Sequence, residues 1–442
     1  MNSELVAVLG LVAIFGLSMW RNINMGAIGL VAAFLLGVTY FGLDTAAILS
    51  GFPGSLFVTL VGVTFLFGIA RANGTVDRLV AGAVTLVRGR IALVPWVFFV
   101  LAALITGIGA ISAATNAILV PIALAFAYRY RINPLLLGLC VLNGTNAGGF
   151  SPISVYFSIV DGALSATGIT VSPGPIFLLT LIANTVLNAV AFFLLGGRAL
   201  IARGRETVAE GESTDSPAGA GDGTGTPAHA PGGPTTTATS RRLTTWTPMH
   251  LVTVAVVLTI VVLTLTLDLD VGFLALSGAV LLALLWPQPA KEATTHIGWQ
   301  VVLLIGGMVT YIGVLQEAGV VEDLASTVNG IGTPVVAALV LLAIGGVVSA
   351  FASTNAMFVI LVPLAAPLLL AGELGLVGFV AGLCVASSAV DSSPFSTGGA
   401  LMVANGQEAD RDRIFRGLLW WTTAMVVAAP LLSWVAFVLL WP

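Results

Sequence analysis

The sequence predicts an all-α membrane protein made of two inverted repeats, each with five transmembrane helices, one of them broken, and a re-entrant hairpin. Three observations support this prediction: the composition of the 442-residue chain, a polar segment in its middle, and a series of motifs that occurs twice. Hydrophobic residues make up 58% of the chain and charged residues 8%, and the mean hydropathy is +1.06. Because a soluble domain carries roughly a quarter charged residues, the composition excludes that class.

Apolar runs recur along the chain at the length that a bilayer requires. A hydrocarbon core of ~30 Å needs about 20 apolar residues in a helix. Runs of this kind lie at 4–20, 25–41 and 53–72 in the first half and at 250–267, 271–287 and 298–317 in the second. The first run has no positively charged segment before it, so we expect a retained span rather than a cleaved signal. The lipid bilayer is therefore one partner, whereas the absence of a basic patch argues against nucleic acid.

The middle of the chain, at 203–247, differs in composition from the rest. It consists mainly of Gly, Pro, Ser, Thr and Ala with scattered charges, and such a segment cannot bury enough apolar surface to fold. At roughly 5–6 Å × √n it spans ~35–40 Å, which is enough to join two halves on one membrane face. We expect inverted repeat 1 at 1–202, a disordered linker at 203–247 and inverted repeat 2 at 248–442.

Four groups of residues occur in the same order in both halves. The matched groups are Gly68, Gly74 and Leu79 with Gly313, Gly319 and Leu324, then 115–117 with 354–356, 138–141 with 382–385, and 151–154 with 393–396. One such match would be chance, whereas four in one order indicate an internal repeat.

The basic residues predict how the two halves are oriented. If 115–116 and 354–355 are the tips of hairpins that return to their own side, each half crosses the membrane five times and the halves are inverted. All 16 Lys and Arg residues then fall on one face, and acids such as Asp161, Asp270 and Glu317 fall on the other. Because basic residues favour the cytoplasm, we expect a multi-pass protein of a bacterial-type inner membrane, with the linker inside and both termini outside.

Four polar interruptions lie at membrane depth, where non-helical backbone is tolerated only if it is buried in protein or lines a cavity. Two are the hairpin tips, at 112–116 and 349–355, and two are breaks within spans, at 143–152 and 387–394. Ser followed by Pro in each broken span is typical of a helix start, with Ser as the N-cap. Four helix N-termini are then expected to converge, each with a charge of roughly +0.5, and to favour an anion.

Asp391 is the acid that lies deep within a span, where a carboxylate costs about 2.5–3.5 kcal/mol on insertion scales. It can serve as a cation ligand, as a proton carrier, or as an acid kept neutral by a hydrogen bond. A fixed negative charge beside an anion site repels the substrate unless a cation or proton neutralises it. Coupling to Na⁺ or H⁺ follows from that conflict, and broken helices that meet between inverted repeats are typical of secondary carriers.

The polar residues of the four interruptions are the candidate ligands, since hydroxyl and amide groups can bind either a carboxylate or a cation. The substrate-binding candidates are Thr115, Asn116, Thr145, Asn146, Ser151, Ser353, Thr354, Asn355, Ser393, Ser396 and Thr397. The candidates for cation binding or coupling are Ser112, Asn116, Gly148, Asn355, Ser388, Asp391 and Ser392.

These residues resemble those of a known group of proteins. The tips at 114–116 and 353–355 are similar to the Ser-Asn-Thr tips of divalent anion/sodium symporters in the ion transporter superfamily. Outside the linker, the chain most resembles the MatC-type malonate and dicarboxylate carriers. The resemblance implies symport of a small organic anion, malonate or a C4-dicarboxylate, by an elevator movement within a homodimer. It implies no cofactor other than the coupling ion.

Other functions compete with this interpretation. One is a related carrier for citrate or an inorganic anion, or the membrane subunit of a binding-protein-dependent dicarboxylate system. An intramembrane enzyme using Asp391 is not expected, because the sequence has no second intramembrane acid, no Ser/His pair and no HExxH motif. A non-transporting membrane scaffold would not require polar interruptions at equivalent places in its two halves. Cys140, Cys384 and the three histidines are interpreted as incidental, and Asn73 as a loop residue whose substitution changes little.

Overall fold

A computed structural model describes residues 3–21, 23–86, 90–204, 246–267, 269–320, 333–350, 354–370, 372 and 374–440. Regular secondary structure in these ranges consists of twenty α-helices with a few short 3₁₀ and π turns. Most of the predicted linker, at 205–245, lies outside the described residues, and so does the site candidate Ser353.

Eleven helices belong to the first half of the chain. They are α1 (Ser3–Arg21), α2 (Met25–Thr39), α3 (Thr45–Ser50), α4 (Gly54–Ala72), α5 (Thr75–Leu86), α6 (Val94–Gly107), α7 (Ser112–Arg129), α8 (Pro134–Gly148), α9 (Val155–Ser165), α10 (Pro173–Leu194) and α11 (Gly197–Arg203). The three predicted spans in this half agree with α1, α2 and α4 to within two residues at each end.

Nine helices belong to the described part of the second half. They are α12 (Pro248–Leu267), α13 (Val271–Leu285), α14 (Pro287–Ala293), α15 (Trp299–Glu317), α16 (Pro334–Ser349), α17 (Thr354–Leu370), α18 (Leu376–Ser388), α19 (Thr397–Asn405) and α20 (Arg411–Ser433). Apart from α5 and α11, which have no counterpart in the described part of the second half, the two halves show the same order: two spans, a short helix, a third span, two hairpin arms, two half-helices and a final span.

The two halves contact each other reciprocally. Helix α4 packs on α13 and α14, and its counterpart α15 packs on α2 and α3. In the same way, α7 packs on α19 while α17 packs on α9. Contacts of this kind arise when two similar units face each other across a two-fold axis.

Glycines make the closest of these contacts. A Cβ atom added to Gly26 of α2 would lie 1.9 Å from the carbonyl oxygen of Leu303 on α15. One added to Gly272 of α13 would lie 2.6 Å from Cα of Thr59 on α4. Small residues allow helix backbones to approach closely within a membrane, so both crossings depend on them.

Several helices have the length and composition of membrane spans. Among the described residues, five stretches are long and apolar enough to cross a bilayer: Gly54–Ala72, Ser112–Arg129, Pro173–Leu194, Trp299–Glu317 and Glu408–Leu439. Shorter apolar helices, such as α9 and α18, reach only part of the way. Large apolar side chains on the outside, such as Trp20, Leu284 and Leu440, are exposed, as expected for a surface that faces lipid.

Asn73 differs from its expected place in an exposed loop. It is buried between α4, α5 and α12, and its Nδ2 donates to Thr253 Oγ1 at 2.8 Å. Its Oδ1 accepts from the Thr75 amide at 3.0 Å, and its carbonyl oxygen lies 2.9 Å from Nε2 of His250. Asn73 and His250 are therefore structural residues that connect α12 to the α4–α5 turn, and the two expectations for them are corrected.

Candidate functional site

Two helical arms lie on either side of each polar tip, α6 and α7 in the first half and α16 and α17 in the described part of the second half. In the first hairpin, Gly109 has φ +105°, which favours glycine, and a Cβ atom there would lie 1.9 Å from Val63 Cγ1. Helix α7 begins at Ser112, and its N-cap residue Ile111 makes no side-chain capping bond. Ser112 and Asn116 lie inside this helix, in its first two turns. Its first N–H groups consequently remain without a side-chain cap.

Each broken span is interrupted by a loop, but the second half-helix starts later than expected. The sequence predicted Ser151 and Ser393 as the N-caps of the second half-helices. In the structure, α9 begins after Ser154 and α19 begins after Ser396. Both predictions are wrong by three residues. The reason is that Ser151 Oγ donates to the Gly107 carbonyl of the hairpin, and Ser393 Oγ accepts from Phe395 N in a turn.

A cavity of about 170 Å³ lies where the four interruptions meet. Residues from the first two turns of four helices line it: Ser112, Ala113 and Asn116 of α7, Tyr156 of α9, Thr354 and Asn355 of α17, and Thr397 and Gly398 of α19. The positive ends of four helix dipoles therefore point toward one small volume.

Seven of the predicted site residues line this cavity. They are Ser112, Asn116, Thr354, Asn355, Asp391, Ser396 and Thr397. The Oδ1 atoms of Asn116 and Asn355 have no hydrogen-bond partner among the described residues. Buried polar atoms are normally paired in folded proteins, so these two oxygens are available to a ligand.

Asp391 is held by hydroxyl groups of both halves. Tyr156 Oη donates to Asp391 Oδ2 at 3.2 Å, and the Thr354 hydroxyl also interacts with the carboxylate. Ser396 Oγ donates to the backbone carbonyl of Asp391, which fixes the loop before α19. No Lys or Arg is present among the described residues that line the cavity. The carboxylate thus has neutral donors around it but no fixed positive charge.

Three predicted substrate ligands face away from the cavity and bond within the protein. Thr115 is fully buried, and its Oγ1 accepts from Thr106 Oγ1 at 3.3 Å inside the hairpin. Thr145 Oγ1 donates to the Leu142 carbonyl of its own helix, at 2.7 Å. Ser151 is the third, since it binds Gly107 as described. These groups stabilise the broken span and the hairpin rather than line the cavity.

Five further candidates contribute to packing around the cavity. Asn146 Nδ2 donates to the Ser388 carbonyl at 2.8 Å and so connects the two broken spans. A Cβ atom on Gly148 would lie 2.0 Å from the Ala103 carbonyl oxygen, so α8 approaches α6 closely there. Ser392 Oγ donates to a backbone carbonyl one turn earlier, and the buried Ser393 bonds within its loop.

Tyr156 lines the cavity but was not among the predicted site residues. Its ring packs against Phe150 and Phe358, at centroid distances of 5.4 and 5.5 Å. A Cβ atom on Gly149 would lie 2.6 Å from the ring, so this position needs glycine. These contacts fix the hydroxyl group toward Asp391. Ser154 could have indicated this role from the sequence. With Ser154 as the N-cap, Tyr156 lies in the first turn of α9.

Helix α10 also presents polar side chains to the two broken spans, which the sequence analysis missed. Thr180, Asn184 and Asn188 recur every four residues on its buried face, and α10 packs on both α8 and α18. Asn188 of α10 and Asn143 of α8 are 0% and 1% exposed, and the Asn143 amide has no hydrogen-bond partner among the described residues. Polar groups inside a membrane bundle are costly and commonly functional.

Two solved transporters share this fold. The YdaH transporter of Alcanivorax borkumensis is 12% identical, with 98% of each chain covered and a TM-score of 0.58. MtrF of Neisseria gonorrhoeae, described within a class of antimetabolite efflux pumps, is 11% identical, with 99% of this chain and 95% of that chain covered and a TM-score of 0.58. At such low identity the likeness establishes the fold alone: the chain is a multi-pass membrane protein with a transporter fold.

The family comparison is more specific. Residues 1–149 match the family model described as the N-terminus of the dicarboxylate carrier protein MatC, which confirms the resemblance inferred from the tips and broken spans. No curated protein matches the sequence significantly. The match covers residues 1–149 of 442, so it shows that the N-terminal part of the chain is similar to the MatC dicarboxylate carrier family.

Proposed function

We propose that this protein is a secondary active transporter for a small di- or tricarboxylate, with malonate or a C4-dicarboxylate as the first candidate, coupled to Na⁺ or H⁺. The observation that carries the proposal is the shared cavity, lined by both hairpin tips, by Asp391 and by the start of four helices. A carrier needs a site in which substrate and coupling ion meet, and this cavity has groups suited to each.

The helix N-termini are suited to the substrate. Free N–H groups at the start of a helix bind carboxylates directly, and four helices contribute roughly +0.5 charge each. Ile111 leaves the first turn of α7 without a side-chain cap. Because the described lining contains no Lys or Arg, these backbone dipoles are the main attraction that it offers an anion.

The oxygen atoms of the cavity are suited to the coupling ion. Asp391 supplies a carboxylate, Asn116 and Asn355 supply unpaired amide oxygens, and Ser112 supplies a hydroxyl group. Hard cations prefer oxygen ligands of this kind. A Na⁺ ion in this position, or a proton on Asp391, removes the charge that otherwise repels the substrate, so anion and cation favour each other's binding.

The proposed movement is an elevator within a homodimer of two inverted repeats, 1–202 and 248–442. The packing supports a division into two bodies, since α2, α15, α4 and α13 pack in series, while α6, α7 and α10 each pack on α8, α10 packs on α18 and α7 packs on α19. The first group is the proposed scaffold and the second the proposed moving block. In this arrangement both termini lie outside and the 203–247 linker lies in the cytoplasm.

Calorimetry on the purified full-length protein tests the proposed site. Malonate, succinate, citrate and sulfate are titrated separately in Na⁺ buffer, in choline buffer, and at two pH values. We expect a dicarboxylate to bind, with an affinity that rises with Na⁺ or with acidity. Binding of citrate or sulfate without any dicarboxylate would favour the related-carrier alternative. Failure of all four anions to bind would contradict the proposal.

A further inference from the structure

An apolar cleft of about 390 Å³ opens on the outer surface of the bundle, between α5, α6 and α12. Its lining is apolar except for Arg78 and two threonines. Leu104 of α6 and Leu258 of α12, which both line it, are 60% and 59% exposed. In a membrane protein such a surface faces lipid, so the cleft is open to the bilayer rather than to water.

The cleft extends along part of one leaflet. The lining on α12 extends from Thr253 to Leu258 and that on α6 from Leu101 to Ile108. At 1.5 Å per residue these stretches are about 8 and 10 Å long, or roughly a third of a hydrocarbon core of ~30 Å. An acyl chain that enters from the interface therefore finds an apolar slot along part of its leaflet.

The interfacial end of the cleft has the groups that a lipid headgroup requires. Trp246 lines the cleft just before α12 begins, and tryptophan prefers the membrane–water interface. Arg78 lines it from α5, and its Nη1 lies 2.8 Å from His250 Nε2 and 3.4 Å from the Gly74 carbonyl. His250 is fixed in turn by the Thr247 amide, which donates to Nδ1 at 3.1 Å. The guanidinium group is thus held at the mouth of the cleft.

We propose that this cleft is a binding site for an anionic phospholipid, with one acyl chain between α6 and α12 and the phosphate beside Arg78. Basic residues at the ends of grooves between transmembrane helices favour anionic headgroups. The first hairpin consists of α6 and α7, and α7 carries Ser112 and Asn116. An acyl chain bound against α6 therefore contacts the same hairpin. The site does not depend on which anion the protein transports.

Native mass spectrometry of the full-length protein tests the apolar part of the site. Phosphatidylglycerol and phosphatidylcholine of equal chain length are titrated separately into the detergent-purified protein. Gly82 lines the cleft, and a Cβ atom there meets nothing within 4 Å, so Gly82→Phe fills the slot without a clash, and Gly82→Leu is a milder version. We expect both variants to reduce retention of either lipid at least severalfold. The matched control is Gly16→Phe on α1, where a Cβ atom is equally free.

The charge at the mouth is tested with Arg78→Gln. We expect this variant to lose about fivefold of the preference for phosphatidylglycerol over phosphatidylcholine, as removal of one basic residue near a headgroup predicts. The control is Arg21→Gln, since Arg21 stacks on Trp20 at the end of α1, away from the cleft. Equal retention of the two lipids by the wild type, or unchanged retention by correctly folded Gly82 variants, would overturn the proposal.

Discussion

At the scale of single residues, the proposed coupling depends on Asp391. Its carboxylate lies in the shared cavity, where Tyr156 Oη donates to it at 3.2 Å and Thr354 also interacts with it. Neutral donors stabilise the ionised form without cancelling its charge. The charge therefore still opposes entry of an anion, and only a cation or a proton removes that opposition.

Asp391→Asn should abolish gradient-driven uptake while the protein still folds and inserts. The amide is nearly isosteric and accepts the bond from Tyr156, but it neither carries a charge nor releases a proton at physiological pH. Uptake by proteoliposomes with and without an imposed ion gradient measures the change. Asp161→Asn is the matched control, because Asp161 lies on α9 but lines a separate cavity, beside Ser50 and Glu317. Wild-type gradient-driven uptake by Asp391→Asn would show that this acid has no part in coupling.

The sequence predicted Asp391, Asn116 and Asn355 as site residues because polar groups at membrane depth are rare and costly, and those that are present commonly have a function. It missed Tyr156, because an aromatic residue in an apolar run looks like ordinary packing until the start of the helix is known. Thr115 and Thr145 were included for their chemistry, but their hydroxyl groups bond within the protein. The direction in which a side chain points depends on helix phase, which residue type alone does not reveal.

At the scale of helices, the two hairpin tips act as one unit. Asn116 of α7 and Asn355 of α17 line the same cavity from different halves, each with an unpaired Oδ1 atom. Each amide oxygen can therefore contact the same bound substrate or ion. The starts of α7 and α17 therefore both contribute to the proposed site.

Asn116→Ala and Asn355→Ala should each raise the half-saturating concentration of substrate or coupling ion. Loss of one buried hydrogen-bond partner costs about 1–3 kcal/mol, which is roughly ten- to hundredfold in an equilibrium constant. Concentration series of uptake by proteoliposomes measure both values. Asn405→Ala serves as the control, because Asn405 is exposed at the end of α19 and donates to Leu401 of its own helix. Wild-type half-saturating concentrations in both tip variants would show that the binding site does not include Asn116 and Asn355.

Helix boundaries were predictable wherever composition changes sharply. The first three spans of each half agree with the sequence to within two residues, because each is an uninterrupted apolar run. The half-helices α9 and α19 were placed three residues too early. The Ser-Pro pairs there have the pattern of a cap, but tertiary contacts with Gly107 and within the second loop engage those serines instead.

At the scale of the whole molecule, the order of the motifs predicted two similar halves, and the reciprocal packing of α4 on α13 and of α15 on α2 agrees with it. The sequence did not identify the glycines that permit these close crossings, such as Gly26 and Gly272. The residues that these glycines contact lie far away in the chain, so composition does not indicate which helices cross.

The proposed orientation is tested by cysteine labelling in intact cells, which expose the outer face, and in inside-out membrane vesicles, which expose the cytoplasmic face. A cysteine introduced at Thr224 in the linker should react with an impermeant reagent only from the cytoplasm, and one at Asp270 only from outside. Positive residues concentrate on the proposed cytoplasmic face, which is the physical reason for this expectation. The native Cys140 and Cys384 are both free and buried, so their background labelling should be low. Labelling of both positions from one side would exclude the inverted arrangement.

The most direct test of cation-coupled dicarboxylate transport is uptake of labelled malonate and succinate by proteoliposomes that contain only this protein. An inward Na⁺ gradient, an inward proton gradient, or neither is imposed on otherwise identical vesicles. The account predicts that one gradient drives accumulation of a dicarboxylate above its external concentration, and that dissipating that gradient abolishes the accumulation. Equal uptake with and without the gradients, or no uptake of any dicarboxylate under all three conditions, would contradict it.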